Sequence, residues 1–219
     1  MVSKEQAFFN TLLELNYERH YNEKTVRRAQ ELAQQLPQYN QWPHEPRQFW
    51  NAEALCWNGR IEKEVRDTIT QELSFLKGFN LDLGAGSYSY VPNSVAADFA
   101  EEMLMLNDSI NKVAIDLESP LPFSDHQFDS VTMVFAIGYV QHIEQLLAEA
   151  KRVLNVGGTL AIVQSAHPVL GLHHMHYKNL YGEAELKIFL KKHRLPVRSY
   201  TRSVNGRDLL FVMGKRGIQ

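Results

Sequence analysis

Three aspartates stand at the ends of successive apolar runs: Asp82 in LDLGAGS, Asp98 in VAADF and Asp116 in VAIDL. Gly84 and Gly86 follow the first of them. Glycine just past a strand lets the backbone bend tightly and approach a ligand with no Cβ in the way. A carboxylate after a second strand can accept hydrogen bonds from both hydroxyls of a ribose. One after a third strand can accept from an exocyclic amine such as that of adenine. Asp82 can orient the glycine loop and attract a cationic amino group. Each acid alone also reads as a cap or a solvated turn residue. Three in register, with glycines at the first, point to a nucleoside-bearing ligand. A dinucleotide fingerprint needs G-x-G-x-x-G, and its third glycine position is occupied by Ser89, which argues against nicotinamide and flavin cofactors.

A second set of residues could work on a substrate. Tyr139 and His142 lie in AIGYVQH after the fourth apolar run, and His167 lies in SAHP after the fifth. His173, His174 and His176 follow in GLHHMHY. Each histidine can serve as a base or a substrate ligand, or simply cap a helix or sit at the surface. Adjacent histidines do not usually face one ion, and no nearby Asp, Glu or Cys spacing completes a ligand set, so no metal is expected. Tyr17 and Tyr21 are four apart on one helical face, able to line a pocket or to pack.

These residues need a sheet to position them. Strands are expected over Phe79–Leu83, Val95–Asp98, Lys112–Asp116, Ser130–Ala136 and Thr159–Gln164, with helices over Ala100–Leu106, Val140–Leu154 and Gly182–His193. Strands alternating with helices imply a parallel sheet with helices on its faces. The end differs: Val197–Ser203, Asn205-Gly206 and Asp208–Gly214 read as a β-hairpin on a type I′ turn. The fold class is therefore α/β, a three-layer Rossmann-like sandwich. Ahead of it, residues 3–36 read as helical, 35–46 as a proline-bearing hinge, and 48–76 as a helix interrupted near Asn58-Gly59. Residues 1–76 are thus expected to form a helical appendage or lid, and 77–219 the α/β core.

Residues 79–165 resemble the class I S-adenosylmethionine-dependent methyltransferases, in the branch acting mostly on small molecules. LDLGAGS resembles the first motif, VAADFAEEML the second-strand segment, and Asp116-Leu117 the adenine-contacting pair. LPFSDHQFDSVTMVFAIGYV and EAKRVLNVGGTLAIV resemble the stretches around the fourth and fifth strands. The resemblance implies a seven-stranded sheet and S-adenosyl-L-methionine as cofactor. It implies contacts from Asp82, Gly84, Ala85, Gly86 and Ser87 of the loop, Asp98 and Phe99 of the second strand end, Asp116 and Leu117, and Phe135. It places Tyr139 and His142 near the reacting methyl, and Tyr17, Tyr21, His167 and His173 on the substrate side. Two departures stand out. Tyr88 replaces a frequent third glycine. Only about nine residues lie between Gly84 and the second strand, against a usual crossover minimum of about ten to twelve. Pro92 also disfavours a helix there, so the first crossover helix is expected to be one turn or absent.

Composition bounds the function classes. The 219 residues are 44% hydrophobic and 22% charged, with net charge −2, ordinary for a globular domain and unpromising for a large nucleic-acid surface. Cys56 is the single cysteine, so no intramolecular disulfide forms. No run is long enough for a membrane span, and the expected setting is cytoplasmic. The leading expectation is an enzyme that methylates a small molecule by in-line displacement. The alternatives are an RNA or protein methyltransferase, with KKHR (191–194) and RSYTR (198–202) as its basic segments, and a cofactor-binding protein without transferase activity. Oligomeric state is not legible.

Overall fold

The computed structural model describes residues 2–17, 22–167 and 171–217, with the side chains of 16 and 17 excluded. Tyr21, and the side chain of Tyr17, therefore lie outside the described residues. Among those described, the chain forms α1 (Lys4–Tyr17), α2 (Glu23–Ala33), α3 (Pro46–Arg60), α4 (Lys63–Leu73), β1 (Asn80–Leu83), β2 (Ser94–Asp98), α5 (Glu101–Leu106), β3 (Asn111–Ala114), β4 (Phe128–Val134), α6 (Ile143–Val153), β5 (Leu154–Ser165), α7 (Glu183–Lys192), β6 (Val197–Val204) and β7 (Arg207–Lys215). The sheet runs β3-β2-β1-β4-β5-β7-β6. Strands β1 to β5 pair in parallel, and β7 pairs antiparallel with both β5 and β6. This is the expected fold class. The hairpin turns through Asn205 and Gly206, both at positive φ (49° and 73°), as a type I′ turn requires.

One face of the sheet is apolar throughout. Leu81, Leu83, Val131, Met133, Leu160 and Ile162 meet Leu146, Leu147 and Ala150 of α6, with Leu186 and Leu190 of α7 beside them. The opposite face is divided. At its β5–β7 side, Ala161, Val163, Phe211 and Met213 pack on Val65, Ile69 and Leu73 of α4. At its β2 side, Ala96 meets Leu104 of α5 and Ala85. Between them, no helix connects β1 to β2: the link from 84 to 93 is irregular. The strand residues beneath it are polar. Ser130 Oγ donates to Asn80 Oδ1 (2.7 Å), and Asn80 Nδ2 donates to Ser94 Oγ (2.8 Å) and Thr132 Oγ1 (3.0 Å). Thr132 Oγ1 donates on to Asp82 Oδ1 (2.7 Å), and Ser94 Oγ to the Val91 carbonyl (2.6 Å). All five side chains are buried. A helix presents an apolar stripe to a sheet; a hydrogen-bonded polar ladder fits a short loop instead. Tyr90 and Val91 of that loop close over the site beside α4.

The N-terminal helices build a separate core. Phe8, Leu12, Ala29, Ala33, Trp42, Phe49 and Trp50 pack together and onto Ala100 and Met103 beside α5. Helix α2 buries Thr25, Ala29 and Ala33. The proline segment ends where Glu45 caps α3, its carboxylate accepting from the N–H groups of Arg47 (3.2 Å) and Gln48 (2.7 Å) with Pro46 in the first turn. That is a strong helix start. The break between α3 and α4 falls at 61–62, three residues beyond Asn58-Gly59, because Gly59 faces open space and stays helical.

Candidate active site

The chain reverses direction across the sheet between β1 and β4, and a cleft of about 430 Å³ opens at the carboxyl ends of the strands there. This is where open α/β sheets place ligands, and the size suits a small molecule, on the order of 300–1,000 Å³. Gly84 and Gly86 form its floor at positive φ (68° and 55°). A Cβ on Gly84 would stand 2.5 Å from the Ala136 methyl, so only glycine fits. Phe135, at the end of β4, also has positive φ (57°) and lines the cleft. Such a conformation is costly for a bulky residue and concentrates at functional sites.

Asp98 ties the floor to β2. Its Oδ2 accepts the Gly86 N–H and its Oδ1 the Ala100 N–H, both at 2.9 Å. Burial pushes its carboxyl up, and these N–H donors work against that. Each oxygen keeps a lone pair, and the residue lines the cleft. Asp116 and Leu117 line it at the end of β3, and Asp116 Oδ1 accepts the Glu118 N–H (3.0 Å). Ala85, Ser87 and Phe99 also line it. Ten of the residues expected from the sequence, Tyr139 among them, therefore line one cavity. Asp82 sits below the floor, 2% exposed. Burial pushes its carboxyl up to about 7; the Thr132 and Ser89 hydroxyls oppose the shift, and the Asp98 charge adds to it.

The roof is α3. Trp50, Trp57, Asn58 and Ile61 line the cleft from above, and Asn58 Oδ1 accepts the Ser87 hydroxyl (2.8 Å). Trp50 stands edge-on to Trp57 (4.9 Å between centroids) and to Tyr139 (5.1 Å), and Tyr139 contacts Tyr177 (4.6 Å). Burial, with Tyr177 beside it, pushes the Tyr139 phenol well above its ordinary value. It therefore stays protonated at neutral pH and can donate a hydrogen bond but not act as a base.

The histidines fall elsewhere. His142, 59% exposed, is held by Glu118 at 2.7 Å and is not a cleft-lining residue. Glu118 also accepts the N–H groups of Gln141 (2.6 Å) and His142 (3.1 Å). Burial alone would raise its carboxyl, but these contacts leave it below the ordinary range. The pair fastens the β3 turn to the start of α6. His167 is 83% exposed, 4.0 Å from Asp208, and away from the cleft. His173 is buried behind the wall, edge-on to Trp57 and Tyr177. His176, one of the candidate histidines, does line the cleft, and its Nε2 lies 2.9 Å from the Pro43 carbonyl. Among the described residues no cluster of His, Cys, Asp and Glu could hold a metal ion. Of the lining residues outside the expected site set, Trp50 and Trp57 carried a signal, a seven-residue spacing that keeps both on one helix face. Tyr90 and Glu118 carried none, since only the tertiary fold brings them to the cleft.

A family model described as a methyltransferase domain matches residues 80–162. Over those residues the chain is similar to that domain. Its curated relatives include the demethylmenaquinone methyltransferase of Paenarthrobacter aurescens, 36% identical over 114 residues that span 47% of this chain and 43% of that one. The mitochondrial 2-methoxy-6-polyprenyl-1,4-benzoquinol methylase of Xenopus laevis is 38% identical over 84 residues, 34% of this chain and 27% of that one. The chain thus spans less than half the length of these relatives. Among solved structures, a methyltransferase of Thermotoga maritima described as a possible histamine N-methyltransferase superposes with a TM-score of 0.59 at 18% identity, over 76% of this chain and 98% of that one. The Haloferax volcanii methyltransferase solved with its Trm112 activator gives 0.61 at 17% identity, over 77% and 98%. At those identities the likeness is one of fold, and it extends well beyond the matched domain.

Proposed function

We propose that this chain is an S-adenosylmethionine-dependent methyltransferase acting on a small, flat, aromatic acceptor. One observation carries the reading: the glycine floor, Asp98 and Asp116-Leu117 share a cleft whose opposite wall is Trp50, Trp57 and Tyr139. The residues fit the cofactor. Asp98 can accept from the ribose hydroxyls, Asp116 from the adenine amine, and Leu117 offers an apolar surface for the base. The Gly84 cradle, which a Cβ would fill, lets the chain approach the ligand closely. When bound, S-adenosylmethionine supplies an electrophilic methyl group on sulfur.

In-line transfer needs little acid catalysis, because the leaving sulfide is neutral. The protein's part is to hold acceptor and methyl in line, which can supply much of the acceleration. Trp50, Trp57 and Tyr139 give faces against which a flat ring can be held, and electron-rich rings also favour a nearby cation. Tyr139, kept protonated, orients an acceptor oxygen by donating to it. The roof excludes water. The names of the curated relatives, a 1,4-benzoquinol methylase and a demethylmenaquinone methyltransferase, support a ring-bearing acceptor. The basic segments favour this over RNA: Arg202 pairs with Glu72 (2.5 Å) and Lys192 with Glu144 (2.6 Å), so each segment has one of its cations already paired. No helix among the described residues is long and apolar enough to cross a membrane. A cytoplasmic setting, with Cys56 buried as a thiol, belongs to the same reading.

Calorimetry with S-adenosylmethionine and S-adenosylhomocysteine tests the cofactor, and turnover over a panel of hydroquinones and phenols tests the acceptor. Absence of binding by both nucleosides would overturn the reading. Binding with no transfer across the panel would favour a binding protein without transferase activity, and salt-dependent RNA retention a nucleic-acid acceptor.

A further inference from the structure

Tyr90 belongs to the irregular link between β1 and β2, where a crossover helix would have stood. Such a helix would offer its free N-terminal N–H groups to an anion, and here it is missing. The glycine floor makes up only part of the loss. The Gly84 and Ala85 N–H groups donate to the Ala97 carbonyl (2.8 and 3.1 Å), the Gly86 N–H to Asp98, and the Tyr88 N–H to the Ala85 carbonyl (3.3 Å). The Ser87 hydroxyl is committed to Asn58. From Gly84 to Tyr88 only the Ser87 N–H is left without an acceptor among the described residues, so a ligand carboxylate at this end of the cleft gains from a further donor.

Tyr90 lines the cleft with 6% exposure, and its hydroxyl is buried without a hydrogen-bond partner among the described residues. An orphaned buried hydroxyl is destabilising unless something satisfies it. The charged side chains acting on it are Arg66 and Asp82, with the Tyr88 phenol beside them. Asp82 Oδ2 is likewise buried without a hydrogen-bond partner of good geometry. Arg66 lies over the Tyr88 ring (5.2 Å), with its own Nε unpartnered. One unfilled donor, one unfilled acceptor and a nearby cation suit a zwitterion, whose carboxylate needs donors and whose ammonium needs acceptors.

Resting on the cofactor reading above, we infer that Tyr90 is a positioning residue whose hydroxyl donates to the α-carboxylate of the cofactor's amino-acid end, taking over the task of the missing helix N-terminus. Burial holds the phenol protonated, so it remains a donor at any physiological pH.

The test compares two ligands on wild type and on Tyr90→Phe by calorimetry. S-adenosylhomocysteine carries the amino-acid end; 5′-methylthioadenosine keeps the adenosine and sulfur without it. The expected result is a loss of about tenfold or more for S-adenosylhomocysteine in the variant, with 5′-methylthioadenosine held within about twofold. Retained binding of the second ligand also reports that the variant is folded. Unchanged S-adenosylhomocysteine affinity, or equal losses for both ligands, overturns the role of Tyr90. Wild type binding neither ligand overturns the cofactor reading itself, and this inference with it.

Discussion

Two buried acids at the centre of the molecule behave differently from surface carboxylates. Asp98 is joined to the floor of the cleft and to the start of α5 by two N–H donors. Asp98→Ala removes that tether together with the proposed ribose acceptor, and calorimetry should record at least a tenfold loss for S-adenosylhomocysteine. Unchanged affinity would remove the ribose assignment and leave the fold as it is. Asp82 makes a pH prediction. Its folded value of about 7 lies above its ordinary 3.8, so the native state holds a proton that the unfolded chain has released. Stability contributed by this group is therefore present below about pH 4 and falls as pH rises towards 7. Asp82→Asn should abolish that loss. In urea unfolding, the variant should gain on wild type between pH 5 and 8, by on the order of 3 kcal/mol at the upper end. A difference between the two that does not vary with pH would refute the assignment. Sequence made Asp82, Asp98, Gly84 and Gly86 legible because their chemistry lies within a short stretch. Tyr90 and Glu118 depend on packing between segments far apart in the chain, and the histidine-rich stretch turns its rings against Trp57, Tyr177 and Phe49 while His176 reaches the cleft.

At the scale of elements, the link from β1 to β2 was readable as short, and Pro92 made a helix there improbable. Less readable was the compensation beneath it. Asn80, Ser94, Ser130 and Thr132 look like ordinary strand residues until they are seen to share one face and bond to one another. Their ladder predicts that Thr132→Val, near-isosteric but unable to bond, strands Asn80 and Asp82 together. A cost of about 1–3 kcal/mol in denaturant unfolding is expected, and a neutral result would show that the ladder is dispensable. The strands were legible as short apolar runs and the closing hairpin as Asn-Gly. Helix ends were less so: Gly59 read as a break, but nothing crowds it and α3 continues to Arg60.

The whole molecule joins a helical cap to the sheet through α3, α5 and the cleft between them. A division near residue 76 remains our proposal, and α4 shows how closely the parts are joined, since it precedes that point yet packs on the sheet. A ligand seated between cap and floor should stabilise both together. S-adenosylhomocysteine at about 100 times its dissociation constant is expected to add about 2.7 kcal/mol and to raise the melting temperature by about 5–10 °C. No shift at saturation would mean that the cleft does not take the ligand in the folded state.

All three tryptophans, Trp42, Trp50 and Trp57, lie in or beside α3, and the sheet has none. Their emission therefore watches the cap alone, while far-ultraviolet dichroism follows every helix and strand. Coincident melting by the two signals would make cap and sheet one cooperative unit. An earlier loss of emission would make the cap a separately yielding piece, and because Trp50 and Trp57 face the cleft, the same light would show when the site fills.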